Sequence, residues 1–163
     1  MLDALAQWLL TTRVSAFVTG RQWVWPASET LHFIGLSLLI GAVGVVDLRL
    51  LGVAKRIPFA PLLRLARWGV LGFVINLATG ILFLAGHPER YVHNIAFQLK
   101  MLFVLLGGIN VVLFNLTLFH KTARLGPGED AALGAQVFAA VSLFLWLGVM
   151  YLGRMLPYIG NSF

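Results

Sequence analysis

Four long apolar stretches, separated by shorter connections that carry most of the charge, follow one another along the chain. They cover approximately residues 28–51, 68–86, 95–119 and 132–153. A helix that crosses a bilayer needs roughly 20 mostly apolar residues, so each stretch is long enough to span a membrane. The prolines all fall at the junctions, where proline commonly punctuates helices: Pro26, Pro58, Pro61, Pro88, Pro127 and Pro157. The pattern predicts an all-α integral membrane four-helix bundle that forms a single transmembrane domain over residues 1–163.

The N-terminal residues follow a different pattern. Between about 2 and 18, apolar side chains recur at near-helical spacing among polar ones, at Leu2, Leu5, Leu9 and Val14. This amphipathic pattern is typical of a helix that lies in the membrane interface, so we expect an interfacial helix before the first span. The segment lacks a compact apolar core followed by a small-residue cleavage site, so we do not expect a cleavable signal peptide.

Composition supports a membrane protein and argues against nucleic-acid binding. Hydrophobic residues make up 60% of the chain, charged residues 11%, and the mean hydropathy is +0.89. Soluble domains have about 25% charged residues. The net charge of +6 comes from basic residues at the ends of the apolar stretches, as membrane topology would place them. Cysteine is absent, which excludes disulfides, thiolate metal sites and covalent c-type haem attachment.

The distribution of basic residues predicts an orientation. Seven lie at the first and third connections: Arg49, Lys55, Arg56, Arg64, Arg67, Lys121 and Arg124. Four lie on the other side, with Lys100 set aside as intramembrane: Arg13, Arg21, Arg90 and Arg154. Because basic residues favour the cytoplasmic side, we expect a multi-pass protein of the bacterial inner (cytoplasmic) membrane with both termini periplasmic.

Ionisable residues inside membrane spans are costly and often functional, and several converge on the predicted outer leaflet. Glu29 and His32 stand one turn apart at the head of the first span, and Lys100 lies within the third. The same depth is predicted for the remaining candidates, His87, His93, Met150, Arg154 and Met155. These residues together predict an outer-leaflet polar pocket. His120 alone falls at the cytoplasmic end.

Each candidate also has a purely structural interpretation. His32 could form a hydrogen-bonded pair with Glu29, Lys100 and Arg154 could extend to the headgroups, and methionines often fill gaps in cores. Asp47 and Arg49 are expected to have a structural or topological role. The in-span asparagines are expected to bond neighbouring helices: Asn76, Asn110 and Asn115.

Two segments carry a resemblance to known families. WPASETLHFIGLSLLIGAVGVVDLRLLG, residues 25–52, and NIAFQLKMLFVLLGGIN, residues 94–110, resemble a family of small bacterial four-span membrane proteins with a domain of unknown function. That resemblance implies the four-span fold and marks the motif residues Glu29, His32, Asp47, Arg49 and Lys100. The second segment is also similar to the third-span pattern of the CopD copper-resistance membrane family, which implies copper handling. This chain is much shorter than that family's membrane region and has only four methionines.

The leading hypothesis is a membrane subunit that binds one b-type haem and serves electron transfer. Two histidines on different helices of a bundle can ligate haem iron. His32 and His93 are the preferred pair and His87 is the substitute, while Lys100 and Arg154 could pair with propionates and Glu29 completes the pocket. The same basic residues would also suit an anionic lipid headgroup.

Two other classes stay open. Copper binding or transport would use the ligands that copper prefers, here His32, His87, His93, Met150 and Met155, although Lys100 and Arg154 would repel a cation. The other alternative is a non-catalytic accessory subunit with other membrane subunits, or further copies of itself, as partners. We do not expect an enzyme acting alone, because no nucleophile motif, nucleotide loop or H-E-x-x-H site is visible.

Overall fold

The computed structural model describes residues 2–159, and this part of the chain is helical, with no strand. The helices are α1 Leu2–Leu10, α2 Arg13–Thr19, α3 Val24–Leu50, α4 Phe59–Gly86, α5 Pro88–Tyr91, α6 Ile95–Thr117, α7 Phe119–Thr122 and α8 Leu133–Met155. Four of them, α3, α4, α6 and α8, are long and apolar enough to cross a membrane. The predicted all-α four-helix membrane bundle is therefore confirmed.

Two of the spanning helices begin earlier than predicted. We expected the second span to start near residue 68, but α4 starts at Phe59, and α3 starts at Val24 rather than near residue 28. The reason is that Pro26 and Pro61 lie in the first turns of α3 and α4, where a backbone N–H has no helical partner and proline costs little. As a result, Arg64 and Arg67 lie on α4 and not in the connection before it.

The N-terminal segment is helical as predicted, but it is divided in two. Its hydroxyl groups interrupt the helix, because Thr11 and Thr12 each donate to a carbonyl three residues earlier, both at 2.7 Å. Thr12 then caps α2 by accepting from the Ser15 backbone N–H at 3.2 Å. Helix α2 packs on α4 and buries Val18, so this part of the segment belongs to the bundle.

The spanning helices pack in the order α4, α3, α8, α6. The main contacts join α3 to α4, α6 to α8, and α3 to α8. Helices α4 and α6 make almost no contact with each other, so a cleft opens between them. At one end, hereafter the α5 end, α3 and α6 begin while α4 and α8 finish. The opposite end carries α7 and is called the α7 end.

Glycines set the close approach of α3 and α4, but only some of the glycines on these helices take part. A Cβ on Gly72 would lie 2.5 Å from the Gly35 carbonyl oxygen and 2.7 Å from the Leu39 nitrogen, so α3 touches α4 backbone to backbone here. Gly41 and Gly80 face open space instead. The close contact therefore depends on Gly35 of α3 and Gly72 of α4.

Arg49 organises the α7 end. Its side chain is fully buried, and its guanidinium donates to three backbone carbonyls, those of Ile57 at 2.7 Å, Gly126 at 2.9 Å and Glu129 at 3.2 Å. These carbonyls belong to the first and third connections, so one side chain joins both loops. The structural role predicted for Arg49 is confirmed. Asp47, two residues earlier in α3, is also buried and lies near Ser142 of α8.

Candidate functional site

His32 faces α4, and a threonine fixes its proton. Its Nδ1 lies 2.7 Å from the Thr79 hydroxyl oxygen. That hydroxyl has a single proton, which it donates to the Ile75 carbonyl at 2.8 Å and, more weakly, to that of Asn76 at 3.2 Å. With this proton on the Ile75 carbonyl, Thr79 accepts from His32; in that arrangement the Nδ1 of His32 carries the proton and its Nε2 keeps a lone pair. Within residues 2–159, Nε2 has no hydrogen-bond partner.

Glu29 and His32 do not form the hydrogen-bonded pair that the sequence suggested as an alternative. Glu29 accepts instead from the indole N–H of Trp25 at 3.0 Å. Trp25 also contacts the rings of Phe83, at 5.1 Å between centroids, and His87, at 5.2 Å, and Phe83 contacts the ring of His32 at 5.4 Å. This group of rings separates His32 from His87 at the α5 end.

Lys100 comes from the opposite side of the bundle. It lies on α6 and passes beside Gly153 of α8, where an added Cβ would be 3.8 Å from Nζ. Its charge is close enough to act on the imidazole of His32. Within the described part of the chain, Nζ has no hydrogen-bond or ion-pair partner. The structure thus brings His32 and Lys100 to the same region, as the sequence predicted.

The other histidines have partners elsewhere. The Nε2 of His93 lies 2.7 Å from the Asp3 carboxylate, and this exposed pair ties α1 to the loop before α6. His87 lies 3.3 Å from Glu89. In the structure, the Nε2 of His93 is therefore engaged by Asp3 and that of His32 is not engaged by any residue from 2 to 159. His120 packs on Phe119 at the α7 end, as expected.

The remaining candidates are also dispersed. Arg154 lies over the ring of Tyr158, 5.7 Å from its centroid, and Met150 is 41% exposed. Over residues 2–159, no three His, Cys, Asp or Glu side chains form a group that could hold a metal ion. The candidates thus divide into a central pair, His32 and Lys100, and peripheral residues that make local contacts.

The loop around α5 adds charge at this end. Burial raises the pKa of Tyr91, the neighbouring Arg90 opposes this, and the carboxylates of Glu29 and Glu89 raise the pKa further. The Tyr91 hydroxyl therefore stays protonated at neutral pH. Glu29 is exposed, and its carboxylate is close enough to act on Tyr91 of this loop.

The sequence did not predict a second polar group, which lies in the cleft between α4 and α6. Asp47 and Trp146 are buried deep in the bundle and line the cleft between α4 and α6. The Oδ2 atom of Asp47 and the Nε1 atom of Trp146 have no hydrogen-bond partner in the described residues. A signal was present in the sequence, because Trp146 stands in the middle of an apolar span rather than at its end, where tryptophan is usually enriched.

This fold defines a multi-pass α-helical membrane protein with a polar site at one end of its bundle. The chain belongs to a family of unknown function, DUF6644, whose sequence profile matches residues 17–161. This agrees with the expected resemblance to a small membrane family of unknown function, whereas no resemblance to the CopD family is found. No curated protein and no solved structure matches the chain.

Proposed function

We propose that this protein binds one b-type haem at the α5 end, with His32 as an axial ligand, and serves electron transfer in the membrane. The observation that carries the proposal is the 2.7 Å contact of the His32 Nδ1 with the Thr79 hydroxyl, which lies within hydrogen-bond distance of the Ile75 carbonyl as well. A histidine that ligates iron needs a free nitrogen lone pair, and its other nitrogen usually donates a hydrogen bond that fixes the ring. Thr79 supplies that partner and leaves Nε2 available.

Lys100 supports the same proposal. A cation within a membrane span is costly without a counter-charge, and Lys100 has no ionic partner within residues 2–159. A haem propionate would supply that charge. Haem iron, when bound, would provide one-electron chemistry. The chain's own contribution would be to hold the group through His32, to neutralise a propionate through Lys100, and to exclude water with Trp25 and Phe83.

The proposal differs from the sequence hypothesis in its second ligand. His93 is engaged by Asp3 and His87 lies beyond Trp25, so we propose ligation by His32 as the sole protein histidine. Such a site gives a high-spin spectrum, whereas ligation by two histidines gives a low-spin one. In this proposal the site lies at the periplasmic face of a bacterial inner membrane, with electron-transfer partners among other membrane subunits or further copies of the chain.

An absorption spectrum of the purified protein tests this function directly. The protein would be expressed with a haem precursor and purified in a mild detergent. We expect a Soret band and about one haem per chain, lost in His32→Ala. The matched control is His120→Ala, at the opposite end of the bundle, which should keep the haem. His93→Ala should also keep the haem. Loss of the haem in His93→Ala would instead indicate that His32 and His93 both ligate the iron.

Two results would favour the alternatives. Copper recovered in metal analysis, with no Soret band, would indicate copper handling, although His32, His87 and His93 are not grouped around one point. No cofactor of either kind, with His32→Ala affecting only the co-purification of other membrane proteins, would indicate an accessory subunit. An anionic lipid retained through Lys100 would identify the headgroup alternative.

A further inference from the structure

The cleft between α4 and α6 has the size and lining of a small-molecule site. Its volume is about 340 Å³, within the range of roughly 300–1,000 Å³ that ligand pockets usually have. All four spanning helices contribute to its walls, which are almost entirely apolar. The aromatic residues of the wall are Phe59, Phe73, Phe114, Phe119, Phe138 and Trp146. Such a concentration of rings favours a flat aromatic guest, because rings pack well by stacking and edge contacts.

Two polar atoms in this wall have no partner. Asp47 is 6% exposed and Trp146 is 5% exposed. The Oδ2 of Asp47 and the indole N–H of Trp146 make no hydrogen bond within residues 2–159. Buried polar groups are nearly always bonded, and an exception calls for an explanation. Together they offer one acceptor and one donor to a guest in the cleft.

These two polar groups are held from different helices. Asp47 projects from α3, and its carboxyl lies near Ser142 of α8. The indole of Trp146 lies against Gly107 of α6, where an added Cβ would be 3.3 Å from the ring, and it meets Phe73 of α4 edge-on at 6.2 Å. The acceptor and the donor are therefore fixed by contacts on all four spans.

We propose that the cleft binds a lipid-soluble aromatic ring that carries hydroxyl or carbonyl groups, a chemical class that includes the isoprenoid quinols and quinones. The Trp146 indole would donate to a ring oxygen and Asp47 would accept from a ring hydroxyl. The apolar tail would leave the cleft between α4 and α6 into the lipid. This proposal concerns a different site from the haem proposal and does not depend on it.

A transmembrane helix is a poorer occupant. A helix with its side chains is about 10–12 Å across and would need a groove along the whole length of the bundle rather than a pocket of about 340 Å³. The unpartnered atoms also lie deep in the wall, on buried residues. A single ring can reach them there, whereas the side chains of a passing helix would meet the rim.

Decylubiquinone is a suitable probe, because quinones quench tryptophan fluorescence on contact. It would be titrated into the full chain in lipid nanodiscs, with decylbenzene as a competitor of similar shape that lacks oxygen atoms. Gly108→Leu is the blocking variant, since Gly108 lines the cleft and an added Cβ meets nothing within 4 Å. Gly80→Leu is the matched control, because Gly80 is equally open but lies outside the cleft.

We expect saturable quenching, weakened at least tenfold by Gly108→Leu and unchanged by Gly80→Leu. Only the reduced quinol has a hydroxyl for Asp47, so Asp47→Leu should weaken the competition of decylubiquinol against the quinone about tenfold, the worth of about one hydrogen bond, and leave the binding of decylubiquinone itself unchanged. Quenching that never saturates, that Gly108→Leu leaves unchanged, or that decylbenzene suppresses when present at only the same concentration as the quinone, would overturn the proposal. So would a change of oligomeric state in Gly108→Leu with unchanged quenching, which would assign the cleft to a second copy.

Discussion

At the scale of single residues, the Thr79 hydroxyl decides what His32 can do. It accepts the His32 proton on one side and donates to the α4 backbone on the other. Without this acceptor, nothing in the described structure would hold the imidazole in the form that leaves Nε2 free. Thr79 therefore acts on any ligand of His32 by positioning the ring and not by touching the ligand.

Replacing Thr79 tests this positioning role. Thr79→Val keeps the shape but removes the acceptor, so we expect haem affinity to fall about 10- to 100-fold, the usual cost of losing such a supporting bond. Stability should fall by about 1 kcal/mol. Haem titration followed by absorbance measures the first effect, and thermal unfolding in detergent the second. Thr79→Ser, which keeps the hydroxyl, is the control. An equal loss of affinity in both variants would contradict the role.

The sequence predicted some residue contacts better than others. That His32 and Lys100 lie in the same region followed from their positions on the first and third spans. The partner of Glu29 did not follow, because Trp25 and His32 both lie within one turn of it and spacing alone cannot choose between them. The pairing of His93 with Asp3 joins residues 90 positions apart, and no local pattern indicates it.

At the scale of elements, the contact between α3 and α4 depends on the missing side chains of Gly35 and Gly72. Glycine allows close approach of helices where lipid removes the hydrophobic drive to associate. The sequence showed several small residues on each span, but not which of them met a partner. The choice depends on the rotation of each helix, and a span that is apolar on all sides leaves that rotation unspecified.

Gly72→Ala should separate these two helices. Its new methyl group would meet backbone atoms of Gly35 and Leu39, which cannot rotate away, so we expect a loss of about 1–3 kcal/mol typical of overpacking. Gly41→Ala is the control, because its Cβ meets nothing within 4 Å and alanine favours a helix over glycine. The midpoint of thermal unfolding should fall for the first variant and stay level or rise for the second. The same fall in both would mean that the effect is not one of packing.

The first and last residues of the helices depend on prolines and on local hydrogen bonds, which the apolar pattern does not indicate. Prolines were expected to separate the spans, yet Pro26 and Pro61 lie inside first turns, which lengthened α3 and α4. The break between α1 and α2 arises from two adjacent threonines that bond their own backbone. The existence of the four spans was predictable from hydropathy, while their first residues were set by these local bonds.

At the scale of the whole molecule, the order in which the helices pack creates both sites. Because α4 and α6 do not close on each other, the cleft between them exposes Asp47 and Trp146 to a guest. Asp47 and Arg49 were both expected to have a structural or topological role, but the two side chains make different contacts. Arg49 joins the loops of the α7 end, whereas Asp47 points into the bundle toward Ser142. The order in which the helices pack could not be predicted from the sequence, because the four spans are about equally apolar.

The orientation of the molecule in the membrane is the remaining prediction, and the chain suits a direct test because it contains no cysteine. Single cysteines would be placed at Glu89, exposed in α5, and at Pro127, exposed in the third connection. The excess of basic residues near the α7 end predicts that end to be cytoplasmic. A membrane-impermeant maleimide should therefore label Glu89→Cys in intact cells, and Pro127→Cys only after lysis. The reverse labelling would place the α5 end, with His32 and Lys100, on the cytoplasmic face, and would assign any electron transfer at that site to cytoplasmic partners.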